Sequence, residues 1–413
     1  MPRRSVALLL AINLLNYADR MVLAAALPKI QAEFFSADDT SARARLGSLA
    51  TAFLVSYMVT APIFGRLADS ISRWKLIGLA VIGWSLASGA SGLAGSFTAL
   101  LITRLFVGIG EAAYGPAAPT ILADLFPIER RGRVLSWFYM AIPVGSALGY
   151  ALGGTVAEHW HWRWAFYLVV APGVALGLAC FFMPEAPRGA AEAEPIARRK
   201  ARMSDYLLLL RTPSYVLNTL GMTALTFALG GVAFWMPDYV VWRGQPDLDR
   251  VSQVFGAITV VAGISATLLG GMAGDRLTRR WPGAYFLVSG AAMLLAFPCF
   301  QLVLIMPFPW CWGMIFITEF CLFFNTGPTN AALANVTHPS MRATAFAINL
   351  LMIHLLGDAI SPPLIGSLAG RYGNNMNIGF SAVSAAIIVG GLIWLCAARF
   401  LARDTLLAPQ RVA

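Results

Sequence analysis

The stretch that decides the fold is Gly65-Arg66-Leu67-Ala68-Asp69, which closes an apolar run and is followed by Arg73. Its pattern returns 206 residues later as Gly271-Met272-Ala273-Gly274-Asp275-Arg276, again at the end of an apolar run. In such a loop Gly lets helices approach closely, while Asp and Arg cross-link the helix ends. The candidates for a gate built from the two loops are Gly65, Asp69, Arg73, Asp275 and Arg276.

A second pair of loops repeats at nearly the same distance. Arg131-Gly132 follows the fourth apolar run and Arg342-Ala343 follows the tenth, an offset of 211 residues. Matched offsets at corresponding loops predict a duplicated six-helix unit. The alternative is ordinary basic loops with chance glycines, but the shared Gly-x-x-x-Asp favours duplication.

Long apolar runs fill the rest of the 413 residues. Hydrophobic residues make up 58% of the chain and charged residues 12%, about half the charged share of a soluble protein. A helix needs about 20 apolar residues to cross about 30 Å of hydrocarbon. Twelve runs meet this need: 6–28, 46–70, 75–95, 97–124, 133–157, 163–183, 213–241, 251–274, 283–305, 311–335, 342–369 and 376–401. We predict an all-α membrane protein with twelve transmembrane helices in two pseudo-symmetric six-helix bundles.

One long polar stretch, Pro184–Met203, separates the first six runs from the last six. It is rich in Ala, Glu, Pro and Arg, as expected of a linker between bundles. We therefore place an N-terminal bundle at 1–183, a cytoplasmic linker at 184–212 and a C-terminal bundle at 213–413.

The formal charge of +10 is distributed unevenly between the two sides of the predicted membrane, and this distribution indicates the topology. Of the 30 Lys and Arg, 21 fall on one side of the predicted membrane, 7 on the other, and Arg20 and Arg104 lie within spans. The positive-inside rule then places both termini in the cytoplasm. The excess charge attracts anionic lipid headgroups, and nucleic acid is not an expected partner.

Ionisable side chains at membrane depth are costly, so each is a functional candidate. The first half holds four, Asp19, Arg20, Arg104 and Glu111. At about 1.5 Å per residue, Asp19 and Arg104 both lie about 20 Å above the cytoplasmic face. Glu111 follows Arg104 by two turns on the same helix face, about 10 Å deeper toward the cytoplasm. Pairing of Asp19 with Arg104, or of Arg20 with Glu111, is feasible.

This arrangement suits proton coupling, because burial favours a neutral carboxyl group and a nearby Arg favours the charged one. We expect Glu111 to be the main proton-titrating group, with Arg104 as its modulator. Asp19 and Arg20 would form a coupling or gating pair. The alternative is a static buried ion network that only holds helices together.

The second half offers fewer ionisable groups. Glu319 lies about 10 residues into the tenth run, near the membrane midplane, and is a candidate for a second titrating site or a substrate contact. His354 and Asp358 are four residues apart and share a helix face, so they are secondary candidates for a proton relay. The alternative for His354 is a satisfied packing residue.

Three motifs resemble the major facilitator superfamily. They are the Gly65–Asp69 loop, Arg104-x-x-x-Gly108-x-Gly110, and Gly145-x-x-x-Gly149-x-x-x-Gly153-Gly154, which lacks the usual Gly-Pro pair. The resemblance implies a twelve-helix fold with pseudo-twofold halves. Helices one, four, seven and ten would line a cavity that opens alternately to each side.

Four stretches narrow the resemblance to the spinster family: Asn16-Tyr17-Ala18-Asp19-Arg20, Pro119–Phe126, Phe138–Ser146 and His354–Pro362. Anion symporters of the same superfamily also carry Tyr-x-Asp-Arg in helix one, so the first stretch is the less specific. Spinster proteins are associated with sphingolipids and lysophospholipids, and the resemblance implies such a cargo. The substrate-binding or gating candidates are Tyr17, Arg20, Arg104 and Glu319.

We therefore expect a secondary transporter that works by alternating access, is coupled to protons and moves an amphipathic lipid. The alternative cargo is a small organic anion such as a sugar acid, with Arg20 and Arg104 clamping its carboxylate. A nucleophile–base constellation, a metal-ligand spacing and a Walker-type loop are all absent from the sequence, so we predict no enzyme and no cofactor or metal. We expect a monomer in a bacterial inner membrane.

Overall fold

The computed structural model describes residues 2–36, 38–126, 128–185, 208–337 and 342–408. Within these ranges the chain is helical and contains no strand. Ten of its helical stretches are long and apolar enough to cross a membrane. The predicted all-α membrane fold is thus confirmed, while most of the predicted linker, 186–207, lies outside the described residues.

The chain separates into two compact units, Met1–Pro195 with Ala233–Val260, and Ile196–Val232 with Val261–Ala413. The predicted domain boundaries at 183 and 213 stay predictions. Helices begin and end, in chain order, at α1 Pro2–Phe34, α2 Ala42–Ser70, α3 Arg73–Gly92, α4 Phe97–Glu111, α5 Tyr114–Leu125, α6 Ile128–His159, α7 Trp162–Tyr167 and α8 Val170–Cys180.

The later helices are α9 Pro213–Trp242, α10 Leu248–Thr278, α11 Ala284–Ile305, α12 Trp310–Phe323, α13 Thr326–Asn335, α14 Arg342–Ile353, α15 Ser361–Arg371 and α16 Met376–Leu407. A π-helical turn, His354–Asp358, connects α14 and α15. Four of the twelve predicted spans are therefore interrupted, and each corresponds to a pair of shorter helices.

Two of these interruptions have the same cause. Pro116 and Pro328 each follow a glycine and lack the N–H that would bond to the carbonyl four residues earlier, at Ala112 and Phe324. The helix stops at these points, so α4 ends at Glu111 and α12 ends at Phe323. Asn325 satisfies the freed backbone beside the second break, since its Nδ2 donates to Cys321 O at 2.9 Å.

Glycines bring α1 and α6 into backbone contact in the first unit. A methyl group at Gly145 would lie 2.5 Å from Leu14 O, and one at Gly149 would lie 2.3 Å from Ala18 O. Hydrogen bonds fix the neighbouring register, with Asn13 Nδ2 donating to Phe138 O at 2.7 Å. This close packing holds α1, the helix that carries Asp19 and Arg20.

Hydrogen bonds between helices and close packing at glycine also hold the second unit together. Tyr215 Oη on α9 donates to Ala345 O on α14 at 2.8 Å, and a methyl group at Gly357 would lie 3.0 Å from Thr223 O. Asn218 lies between two helices, accepting from Trp394 Nε1 at 3.1 Å and donating to Thr329 O at 3.0 Å.

Candidate functional site

An ion pair between α1 and α4 is the central feature of the first unit. Arg20 Nε lies 2.7 Å from Glu111 Oε2. The Glu111 side chain is fully buried, whereas the Arg20 side chain is 21% exposed. Glu111 is the last residue of α4, at the break that Pro116 causes. Arg20 is therefore the one of the four predicted charges whose side chain is partly exposed.

Glycines of α4 explain why Glu111 lies so close to its neighbours. A methyl group at Gly108 would lie 2.2 Å from Phe53 O on α2, and one at Gly110 would lie 2.7 Å from Trp84 Cβ on α3. The helix is thus held between α2 and α3 at the turn that precedes Glu111.

Three aromatic rings surround the Arg20 guanidinium. Its Cζ lies 4.9 Å from the ring centroid of Phe53, 5.0 Å from that of Tyr17 and 5.5 Å from that of Tyr57. Cation–π attraction of this kind stabilises a guanidinium by about 0.5–2 kcal/mol per good contact. Sequence reasoning named Tyr17 but missed Phe53 and Tyr57, which a search for aromatics four residues apart on α2 would have found.

Asp19 and Arg104 occupy a separate, buried position between α1, α3 and α4. Asp19 is 1% exposed and Arg104 is 2% exposed. The Ser88 hydroxyl donates to Asp19 Oδ1, and Arg104 Nη2 donates to Ser91 Oγ. Arg104 also lies over the Phe166 ring, 5.1 Å from its centroid. The two charges attract each other electrostatically, but no salt bridge within 4.0 Å joins them in the described residues.

The structure therefore forms one of the two feasible pairs, Arg20 with Glu111, and places the other two charges near each other. The direct partner of Glu111 is Arg20, and Arg104 interacts with Glu111 electrostatically without a salt bridge within 4.0 Å among the described residues. That Arg104 modulates Glu111 stays a prediction.

The candidates of the second unit lie on α12 and on the π-helical turn. Glu319 is 3% exposed, on the turn of α12 that precedes the break. The His354 ring nitrogen Nδ1 lies 2.9 Å from Asp358 Oδ2, and both side chains are partly exposed. His354 and Asp358 therefore share a helix face and a hydrogen bond, and their role as a proton relay stays a prediction.

Of the five gate candidates in the two loops, the structure describes four in full. Arg73 Nη1 lies 2.5 Å from Asp124 Oδ2 at the end of α5, and Arg73 Nε lies 2.8 Å from Glu185 Oε1. Asp275 accepts from Tyr285 Oη at 2.8 Å. The remaining members are Gly65, where an added methyl group would lie 3.8 Å from Pro116 Cβ, the exposed Arg276, and Asp69, whose side chain lies outside the described residues.

A buried ion pair that sequence reasoning missed joins the start of α2 to α9 within the first unit. Arg43 Nε lies 3.4 Å from Asp238 Oδ2, and each side chain is 6% exposed. Asp238 is an ionisable residue inside an apolar run, next to Pro237. The rule that identified Asp19 and Glu111 applies equally to it and would have identified it.

Known proteins resemble this chain over most of its length. Residues 9–362 match the Major Facilitator Superfamily. The chain is 40% identical over 386 residues to "Protein spinster homolog 3" of Danio rerio, covering 88% of this chain and 76% of that protein. It is 37% identical over 440 residues to "Protein spinster homolog 1" of Homo sapiens, covering 97% and 81%. The chain belongs to the spinster family.

Solved structures agree on the fold. The crystal structure of a bacterial homolog to the human lysosomal transporter Spinster, inward-facing and occupied, matches with a TM-score of 0.79 at 22% identity, covering 98% of this chain and 97% of that one. A D-xylose–proton symporter matches with a TM-score of 0.75 at 17% identity, covering 96% of each chain. This spinster protein is thus an integral, multi-pass transporter with the twelve-helix major facilitator fold.

Proposed function

We propose that this spinster protein moves an anionic amphipathic lipid, of lysophospholipid or sphingolipid type, together with a proton. The observation that carries the proposal is the Arg20–Glu111 pair, in which a partly exposed cation binds a fully buried carboxylate at 2.7 Å. The Glu111 carboxylate and the headgroup of the cargo would compete for the single positive charge of Arg20, whose Nε binds Glu111 in this structure.

The proton and the cargo then favour each other. A proton on Glu111 removes the charge that holds Arg20 and frees the guanidinium for a phosphate. By thermodynamic reciprocity, an anion on Arg20 favours the protonated form of Glu111. Both ligands would bind to the same conformation and leave together, which is the behaviour of a symporter rather than an antiporter.

The surroundings of Arg20 support a lipid over a small sugar acid. A sugar-acid clamp needs both arginines at the cargo, and Arg104 is 2% exposed and bonded to Ser91. Of the two arginines only Arg20 is partly exposed, and aromatic rings flank it. One cation beside apolar rings suits a charged head on an apolar chain. The resemblance to spinster proteins supports the same cargo class.

The test is uptake into proteoliposomes with an acidic exterior, using a radiolabelled lysophospholipid and a sugar acid in parallel. Protein-free liposomes correct for spontaneous lipid movement. We expect the wild type to take up the lysophospholipid faster when the gradient is present. Glu111→Gln should lose this acceleration, about tenfold or more, while exchange at equal pH persists. Arg20→Lys should weaken cargo binding, because an ammonium lacks the planar fork.

Glu158→Gln is the matched control, since it makes the same chemical change in the half-exposed pair with Lys29, whose charges lie 2.9 Å apart. It should behave as wild type. A folded Glu111→Gln variant that keeps the full gradient response would eliminate the proton role. Uptake of the sugar acid with no protein-dependent lipid flux would eliminate the lipid cargo.

A further inference from the structure

We propose that Tyr150 and Arg43 are positioning residues for transport, which hold the end of α9 against α6 and α2 as a latch that must open in each transport cycle. The latch acts on a segment that we call the outer hairpin, Ala233–Val260, which comprises the end of α9, the start of α10 and their connection. This hairpin belongs to the first compact unit, whereas the remaining parts of α9 and α10 belong to the second. The latch acts whichever cargo is moved.

Pro237 on α9 creates the need for Tyr150. Because proline has no N–H, the carbonyl of Ala233, four residues earlier, loses its ordinary helix partner. Tyr150 Oη on α6 donates to this carbonyl at 2.5 Å, and Tyr150 is 1% exposed. A buried carbonyl without a hydrogen bond is costly. The Tyr150 hydroxyl therefore holds α9 at the point where proline weakens the helix.

Asp238, the next residue of α9, makes the second contact through its buried ion pair with Arg43. Arg43 lies in the first turn of α2, where the helix dipole disfavours a cation, and Asp238 lies near the end of α9, where the dipole disfavours an anion. Each charge is thus stabilised by its partner rather than by its own helix. The desolvation penalty of a buried pair offsets much of its attraction, so exchange of the partner for water costs little. Such a pair can open and form again.

Close packing of α6 on α10 completes the latch. A methyl group at Gly154 would lie 2.2 Å from Ser252 Cβ, and one at Gly256 would lie 2.9 Å from Ala147 O. The Tyr150 and Phe255 rings lie edge to face, with their centroids 4.8 Å apart. Ser252 is fully buried in this contact, so its accessibility reports whether the hairpin has left α6.

The test measures how fast a maleimide modifies Ser252→Cys in the purified protein, with Cys180 kept as the one native cysteine. Ser252 Oγ has no hydrogen-bond partner among the described residues, so a thiol there breaks no hydrogen bond. Tyr150→Phe keeps the ring and removes the hydroxyl, and labelling should become about 2- to 10-fold faster, as expected for the loss of one hydrogen bond. Arg43→Gln takes the charged partner from Asp238 and should accelerate labelling about tenfold or more. Arg43→Lys keeps the charge and should label more slowly than Arg43→Gln.

Tyr114→Phe is the matched control, since it removes another buried hydroxyl, which donates to Leu9 O at 2.6 Å between α5 and α1. It should leave the labelling of Ser252→Cys at the wild-type rate. Cys180, which is buried in α8 of the same unit, reports general loosening. Wild-type labelling of Ser252→Cys in folded Tyr150→Phe and Arg43→Gln variants would overturn the latch. An equal acceleration at Cys180, or in Tyr114→Phe, would overturn it as well.

Uptake separates a latch that transport uses from a contact that only stabilises the fold. A larger open population raises the apparent affinity for external cargo. Tyr150→Phe should therefore lower the KM for the radiolabelled lysophospholipid, by up to the factor seen in labelling, whereas a loss of stability alone would lower the maximal rate and leave KM unchanged. An unchanged KM would overturn the role in transport. If the wild type takes up no lysophospholipid, the proposed cargo is wrong, and the labelling still decides whether the latch exists.

Discussion

At the residue scale, Asp19 and Arg20 show how one position along a helix separates two roles. Consecutive side chains leave a helix about 100° apart. Asp19 therefore points to Ser88 on α3, while Arg20 points to Glu111 on α4 and to the rings of α2. The sequence placed both charges at membrane depth and named two feasible pairs, but it left open which of them forms. That choice depends on the rotation of α1, which the contacts of Gly145 and Gly149 fix.

Glu185, just after α8 and outside the membrane spans, gives a pH prediction. Burial raises the pKa of its carboxyl, but hydrogen bonds from Arg73, Ser72 and the Trp74 N–H outweigh it and hold the pKa below the ordinary 4.5. A carboxyl group whose pKa is lower in the folded than in the unfolded state stabilises the fold at pH values above its unfolded-state pKa. This stabilisation is lost as the pH falls through the folded-state pKa. The wild type should therefore have a higher melting temperature than Glu185→Gln at neutral pH. The two melting temperatures should converge below about pH 4.

The comparison is a thermal melt of the two proteins in detergent across a pH series. Since Glu185 is about one-third exposed, the difference at neutral pH should be about 1 kcal/mol or less. A difference that persists unchanged at acidic pH would mean that the charge on Glu185 does not carry the effect.

At the element scale, glycine and proline determine where helices meet and where they stop. Gly115-Pro116 and Gly327-Pro328 interrupt spans four and ten at an offset of 212 residues, close to the loop offsets of 206 and 211. The break places Glu111 at a helix end, where the backbone carbonyls are free of helix partners. Broken helices at membrane depth are typical of transporter binding sites.

The contact between α1 and α6 gives a stability prediction. Gly149→Ala would push a methyl group to 2.3 Å from Ala18 O, which is backbone and cannot move alone. We expect a loss of about 1–3 kcal/mol and slower transport, because α1 carries both Asp19 and Arg20. Gly83→Ala is the control: Gly83 is exposed on α3 with nothing within 4 Å, so alanine should be neutral or stabilising by about 0.5–1 kcal/mol.

Melting temperature and uptake rate, measured on both variants in the same preparation, check this prediction. Equal melting of the Gly149→Ala and Gly83→Ala proteins would show that α1 and α6 can separate without cost.

At the scale of the whole molecule, the sequence predicted the class of fold well and its local interruptions poorly. The lengths of the apolar runs are enough to count spans, because the thickness of the hydrocarbon core sets the length that a spanning helix needs. The π-helical turn at His354–Asp358 and the break after Glu111 were not predicted, although Pro362 and Pro116 lie just beyond them. The Arg43–Asp238 pair was missed because Asp238 was not included among the ionisable residues at membrane depth, and a single sequence does not show that it meets Arg43, 195 positions away.

The orientation of the whole chain is the last prediction. The 21 to 7 division of Lys and Arg places the loop before α4 outside the cell and the loop after α10 in the cytoplasm. Gly95 and Arg280 are exposed in these two loops. In a background without the five native cysteines, Gly95→Cys should react with a membrane-impermeant maleimide in intact cells. Arg280→Cys should react only after lysis. Labelling of Arg280→Cys in intact cells would show that the orientation is the opposite one. Arg66 and Lys75 would then meet anionic lipid on the other face of the membrane.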